Sequence, residues 1–514
     1  MDQYFIVHDP VPQSTECAIE GLLYASKGYP QMAKSFQDLM DRPQCLYTLQ
    51  KQTVLPSSLK VLGAVYWIDL AQLPKKWTSC MDLQPLSMPG QFPNTVRTWY
   101  QHSTKESVVG LPRFLGLSLF GPPHKDNRSY GHAIQTDCSI DLRPLQVQAV
   151  QQSLKSLEEW GGCTITADCG FGKTRLALGL ISALKRRTLI LCNRELLMQQ
   201  WASVVQSLSP WTLSWLQGAD SMVPSKRSKR FQQACDLGTD ICIGSIETLI
   251  EAETITKAFL DSFGLVIVDE AHHLAAATLV HALPLVPARY IVGLSATPDR
   301  RDGLEHALYW LLGPSSFVYK RLPSVTGQRD TVEVRKIVPS GCLNQEKFYR
   351  NGSIAFAEML TCLTLDPRRN QILLDLLKDL LADRKKIIVV SGLVAHCIAL
   401  YEAMQSHFAP ETTVPMALMA GKRVQSELAL LETTKLVFAT YSLLEEGYDD
   451  PILDTLVLAT PRSRIQQTIG RIERTHAHKL RPLVLDLADS FSVYPSMYAK
   501  RASFYKSRGF EINV

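Results

Sequence analysis

The run ADCGFGKT, from Ala167 to Thr174, follows the apolar stretch CTITA and leads into the helical pattern RLALGLISAL. A glycine-rich turn between a strand and a helix is the context in which backbone N–H groups and a helix N-terminus can cradle phosphate. Gly170 and Gly172 let the backbone wrap without a Cβ clash, Lys173 can reach the β- and γ-phosphates, and the Thr174 hydroxyl can ligate Mg²⁺. Ala167 stands where a first glycine is usual. About a hundred residues on, LVIVDEAHHL sets Asp269 and Glu270 at the end of an apolar run. There Asp269 can hold the metal and Glu270 can take a proton from an attacking water. A strand end of this kind can simply cap the next helix, but paired with the upstream loop it points to a nucleoside triphosphate and Mg²⁺ as cofactors.

Those residues need a frame. Short Val/Ile/Leu-rich runs recur at Cys163–Ala167, Thr188–Cys192, Ile241–Gly244, Gly264–Val268 and Tyr290–Leu294, as strands buried on both faces require. Helical spacing fills the gaps, as in Arg175–Leu184 and Glu195–Leu208. The alternation predicts an α/β fold with a doubly wound parallel sheet. Residues 315–345 read as a linker, and a second block follows with runs at Lys386–Ser391, Thr413–Met419, Lys435–Thr440, Leu453–Ala459 and Leu483–Leu487. Two such blocks predict two lobes with a ligand cleft between them. The expected boundaries are an accessory domain over 1–135, lobes over 136–318 and 346–490, and a tail over 491–514. In the accessory region, VLGAVYWIDL reads as a strand.

Composition narrows the class. The 514 residues are 46% hydrophobic and 20% charged, a globular balance long enough for about three domains. A net charge of +5 fits contact with phosphate backbones without demanding it. None of the twelve cysteines sits in a Cys-x-x-Cys pair, which speaks against a zinc ribbon, and several lie in apolar runs as in a reduced intracellular protein. Neither a signal peptide nor a membrane span is expected.

Further motifs add a resemblance. Asp269-Glu270-Ala271-His272 resembles the DEAH form of the Walker B motif of superfamily 2 helicases, and SATPDRRDG from Ser295 resembles their motif III. QTIGRIER fits the Gln-x-x-Gly-Arg-x-x-Arg pattern at Gln467, Gly470, Arg471 and Arg474. LRPLQ (142–146), NREL (193–196), GSIETL from Gly244 and ATYSLLEEGYDD (439–450) are similar to the motif that reads adenine and to motifs Ia, Ib and V, in the family's order over about 140–490. The resemblance implies two RecA-like lobes and ATP hydrolysis between them. It gives Gln146 to the adenine, Gln467 to the attacking water, and Arg471 and Arg474 to the γ-phosphate as arginine fingers. His272, Ser295 and Thr297 would couple the nucleotide to the strand-binding face, while Arg194 and Thr440 would meet nucleic-acid phosphate. The null case for the arginines is a solvated basic helix face.

ATPDRRDG, LVLDLAD, GLPRFLGLSLFG and the closing RASFYKSRGFEI resemble compact DNA helicases of large DNA viruses and phages. That group includes the poxvirus transcript-release helicase and is related to the TFIIH translocase branch. This implies single- or double-stranded DNA as partner, 3′ to 5′ movement, and replication or transcription proteins as further partners. For a viral protein it implies the host nucleus, a cytoplasmic replication site or the virion. Two other readings stay open: a DEAH-type RNA helicase, whose usual long domains after the second lobe find little room here, and a motor-like adaptor without turnover. KRSKR at 226–230 either grips phosphate or is a solvated loop. Tyr66, Trp67, Trp99, Tyr100 and Phe114, mixed with Arg97, Lys105 and Arg113, either stack on bases or fill a small core. Cys169, inside the phosphate loop near Lys173, is expected to be a thiol of lowered pKa.

Overall fold

The computed structural model of the protein describes residues 60–72, 82–83, 96–102, 105–168, 170–216, 238–251, 255–271, 276–296, 305–320, 331–339, 349–350, 353–407, 414–421, 433–448, 450, 452–473, 476 and 479–513. They fall into two compact units, one within 6–320 and one within 321–514.

The first unit opens with a small sheet of β1 (Lys60–Leu62), β2 (Tyr66–Asp69), β3 (Tyr100–Gln101), β4 (Val108–Leu111) and β5 (Lys125–Asp126), ordered β3-β4-β2-β1-β5. VLGAVYWIDL is therefore two antiparallel strands with Val61 opposite Trp67, broken at Gly63, where a residue without a side chain weakens a strand interior. Tyr66 and Phe114 are buried, so these two aromatics fill core. Arg113 is buried too, and its Nη1 donates to Ala288 O at 2.8 Å, tying the helix Arg113–Phe120 to the larger sheet.

That larger sheet has β6 (Gly162–Ala167), β7 (Thr188–Cys192), β8 (Leu213–Leu216), β9 (Ile241–Ser245), β10 (Leu265–Val268), β11 (Tyr290–Ser295) and β12 (Ser315–Tyr319), all parallel, in the order β8-β9-β7-β10-β11-β6-β12. Alternate residues feed two cores. Ile165, Ile190, Ile243 and Ile267 pack with the helices Pro144–Trp160, Lys173–Leu184 and Glu195–Leu208. Leu189, Cys242, Val266 and Val268 pack with Ala276–Ala282 and Glu305–Leu312. The helix Pro144–Trp160 starts with proline in its first turn and stops at Gly161, whose φ of 80° a side chain would resist.

The second unit repeats the plan with β13 (Glu333–Ile337), β14 (Ile387–Ser391), β15 (Met416–Met419), β16 (Leu436–Thr440), β17 (Thr455–Leu458), β18 (Leu483–Leu487) and β19 (Glu511–Asn513), ordered β15-β16-β14-β17-β18-β13-β19 and all parallel. Numbered from its own first strand, each sheet reads 3-4-2-5-6-1-7.

Two expectations change. The linker over 315–345 contains β12 and β13, in each of which three of the five residues are only partly buried, so neither shows a solid apolar run. The tail over 491–514 contains the helix Tyr494–Ser507 and β19. Its buried face carries Tyr494, Arg501 and Tyr505, polar residues that do not mark a core helix in the sequence.

Buried ion pairs fasten this unit. Arg369 meets Asp489 through Nε–Oδ1 and Nη2–Oδ2, both 2.8 Å, and Arg501 meets Asp486 at 2.8 and 2.7 Å. Removing one partner strands a charge away from water. We expect Arg369→Ala to cost about 3–5 kcal/mol, seen as a lower urea midpoint. A further Asp489→Leu change in the same chain should recover part of it, because the orphaned charge then disappears.

Candidate nucleotide and nucleic-acid site

In the first unit the chemistry gathers at the carboxyl edge of three neighbouring strands, the usual ligand edge of such sheets. Ala167 closes β6, Ser295 closes β11 directly opposite Thr166, and Asp269 follows β10. Gly170 and Gly172 hold φ of 83° and 90°. Lys173 begins its helix, donates from Nζ to Ala167 O at 3.2 Å, and lies 3.6 Å from Glu270 Oε1. Thr174 is the next residue, half-buried.

Asp269 is buried, with Oδ1 accepting from Glu270 N at 2.9 Å and Oδ2 accepting from Trp201 Nε1 at 2.7 Å. Burial, then the neighbouring Glu270 charge, push its pKa up; the Trp201 hydrogen bond and Lys173 pull the other way. Glu270 has a left-handed φ of 46°, an uncommon state for a residue with a side chain and one that gathers at functional turns. Just beneath, burial and the same two carboxylates push the Cys192 thiol well up.

These residues suit Mg-ATP. Adjacent carboxylates, one of them buried and raised by its neighbour's charge, with a hydroxyl one residue past the lysine, make a hard oxygen set that a divalent cation would neutralise. Thr174 and Asp269 would hold the ion, and Lys173 would turn from Ala167 O to phosphate.

Gln146, expected at the adenine, is 1% exposed and has both amide ends engaged by the chain. Its Nε2 donates to Phe171 O at 2.8 Å and Gly172 O at 3.3 Å, and its Oε1 accepts from Arg143 N at 2.9 Å. Here it clamps the phosphate loop. A Cβ on Gly172 would come 2.4 Å from that amide, so this glycine is needed for space as well as for φ. Arg143 also donates to Phe171 O, and the Phe171 ring packs 4.5 Å from Tyr319 of β12. Arg143, Phe171, Trp201 and Tyr319 are the supporting residues that spacing did not reveal. The signal available was an aromatic between the two glycines and a tryptophan on the helix after β7.

Arg194 is exposed at the start of that helix, just past β7. His272, Thr297 and Arg474 lie outside the described residues, as do Cys169, Asp449 and the KRSKR run.

In the second unit, Gln467 is half-buried on the helix Gln466–Ile472. Arg471, on the same helix, is buried and donates from Nη2 to Glu445 O. Glu445 also takes Thr468 Oγ1 at 2.6 Å and Arg462 Nη2 at 2.5 Å on its two carboxylate oxygens. Thr440 precedes the helix Tyr441–Gly447 and stands opposite Ser391 across β14 and β16. Ser391 Oγ shares a hydrogen bond with His396 Nδ1 (3.0 Å), and His396 Nε2 one with Asn370 Oδ1 (3.1 Å). Burial holds that histidine down to about 3, so it is neutral, and with Ser391 1% exposed the chain of three is structural, not hydrolytic.

A parallel-sheet lobe with this loop and acidic strand end has the architecture of a phosphate-loop nucleotide-binding domain. Residues 139–300 match the family described as "Type III restriction enzyme, res subunit". Over 391 residues (74% of this chain, 71% of the other) the chain is 26% identical to a protein of Acanthamoeba polyphaga mimivirus named as an ATP-dependent RNA helicase. Over 355 residues (68% and 72%) it is 25% identical to a protein of Escherichia phage T5 named as a helicase. The crystal structure of phage T4 UvsW aligns with 89% of this chain and 98% of its own at a TM-score of 0.34 and 15% identity. The chain is thus a homologue of superfamily 2 helicases of large DNA viruses and phages, an ATP-dependent enzyme class.

Trp201 donates to Asp269, the carboxylate that would hold the metal. We expect Trp201→Phe, which keeps an aromatic ring and removes the donor, to raise the Mg²⁺ needed for half-maximal ATP turnover by about tenfold or more. An unchanged Mg²⁺ titration would show that the indole only fills space.

Proposed function

We propose that the protein is an ATP-driven motor on DNA, moving 3′ to 5′. One observation carries the ATP half of this reading: Lys173, Asp269 and Glu270 converge at one strand edge, with Lys173 3.6 Å from Glu270. Bound Mg-ATP supplies the phosphoryl group whose hydrolysis drives movement. Backbone N–H groups of the loop and Lys173 hold and neutralise its phosphates. Asp269 and Thr174 keep the ion in place. Glu270 orients a water and takes its proton. Gln467 positions the attacking water, Arg471 and Arg474 stabilise charge on the γ-phosphate, and His272, Ser295 and Thr297 relay the nucleotide state. Arg194 and Thr440 contact the nucleic-acid backbone.

DNA is favoured by the restriction-enzyme description of the matched family and by the resemblance of ATPDRRDG and its companions to DNA helicases. The mimivirus relative is named for RNA, and that favours RNA as the second reading.

The test is ATP hydrolysis with Mg²⁺ alone, with single-stranded DNA, with duplex DNA and with RNA. DNA should stimulate turnover, and Lys173→Ala should lower it by about 10²-fold or more. Stimulation by RNA alone selects the second reading. Streptavidin displaced from the 5′ end of an oligonucleotide, and not from the 3′ end, gives the direction.

A further inference from the structure

The helix Gln466–Ile472 carries Gln467 and Arg471 but is only seven residues long. A helix that short does not hold itself in water, so its position is set by what grips it. Along its length Thr468 and Arg471 are latched to Glu445, which Arg462 also holds. At its C-terminal end, Lys479 Nζ donates to Ile472 O at 2.5 Å, and Glu473 receives Arg508 Nη2 on both carboxylate oxygens, at 2.8 and 2.9 Å.

Arg508 belongs to the last segment of the chain, where it turns from the helix Tyr494–Ser507 into β19. That segment is fixed independently of the short helix. β19 pairs with β13, and Arg501 and Tyr505 OH bond Asp486 at 2.7–2.8 Å. Arg501 Nη1 also donates to Arg462 O at 2.7 Å, and Arg462 is the residue that grips Glu445. The closing segment therefore reaches the arginine-bearing helix by two routes: through Arg508 directly, and through Arg501, Arg462 and Glu445. The Arg508 and Glu473 side chains are 14% and 9% exposed, so solvent screens the pair far less than a surface ion pair.

We propose that residues 494–513 form a brace that positions the helix Gln466–Ile472 for ATP hydrolysis, with Arg508 and Glu473 as positioning residues. Neither touches the nucleotide; each acts through the placement of Gln467 and Arg471. The proposal rests on the motor reading above, in which that helix serves hydrolysis.

The experiment uses the full chain and compares wild type, Arg508→Ala, Glu473→Gln, the exchange of Glu473→Arg with Arg508→Glu, and Lys173→Ala. It records kcat and KM for ATP under DNA stimulation, equilibrium binding of a fluorescent ATP analogue, and Tm. A displaced catalytic group costs rate more than binding, so kcat should fall about 10- to 10²-fold in each single variant. KM and analogue affinity should stay within about twofold, and the exchange should restore most of kcat. Unchanged kcat in both single variants, with Lys173→Ala inactive, overturns the brace alone. A loss that follows Tm downward and is not restored by the exchange assigns the pair to stability and also overturns it. Turnover surviving in Lys173→Ala sinks the motor reading and the brace with it.

Discussion

Two carboxylates side by side at the end of a buried strand repel each other, and much of the first unit's site exists to make that tolerable. Asp269 is pushed toward its neutral form by burial and by Glu270. Three features oppose this: the Trp201 indole N–H, the Lys173 ammonium, and the backbone N–H that Glu270 offers back to Asp269. Each comes from a different element: the helix after β7, the helix after β6, and the turn after β10. The spacing of those elements follows from the order β7-β10-β11-β6, which brings a loop and an acid turn about a hundred residues apart in sequence to one edge. A local excess of negative charge is thereby kept poised for a cation, at a place where a cation with phosphate ligands can enter.

The second unit uses the same strand order, and among its described residues that edge chemistry does not recur. Its corresponding loop after β13 does not bear a Gly-x-Gly-Lys run. In its place polar groups are spent on fastening: Glu445 gathers Thr468, Arg462 and Arg471, and Asp486 gathers Arg501 and Tyr505. Identical topology supports two kinds of work because the sheet only sets where the strand ends lie, and the loops decide what stands there.

Much of this was legible in the residues. Inner strands announce themselves because both their faces are buried, so Thr188–Cys192 and Leu483–Leu487 fall where the apolar runs do. The phosphate loop is legible because glycine, lysine and threonine cannot be exchanged there without losing φ, charge or hydroxyl. The edge strand β12 and the inner strand β13 are not, since each buries only some of its side chains and reads as linker. The closing helix was read as tail because what it buries is an arginine and two tyrosines. Gln146 was visible as a residue of the right type; its turn onto Phe171 O and Gly172 O depends on a 25-residue separation that only the fold closes.

Why the second unit fastens itself with ions and not with more leucine follows from what each can specify. Apolar contact is strong but non-directional, and a short helix resting on it can rotate or slide at little cost. A guanidinium fork on a carboxylate fixes distance and plane together. Its desolvation cost makes the pair a poor source of stability, and replacing such a pair with apolar residues is often neutral or stabilising. Arg369–Asp489 and Arg508–Glu473 each join a helix or turn to a residue just past the end of another element, while Arg501–Asp486 ties a helix to a buried residue within β18. A residue that has to hold one placement gains from such directional contacts, and Arg471 has one, its Nη2 donating to the carbonyl of Glu445, whose side chain Thr468 and Arg462 hold.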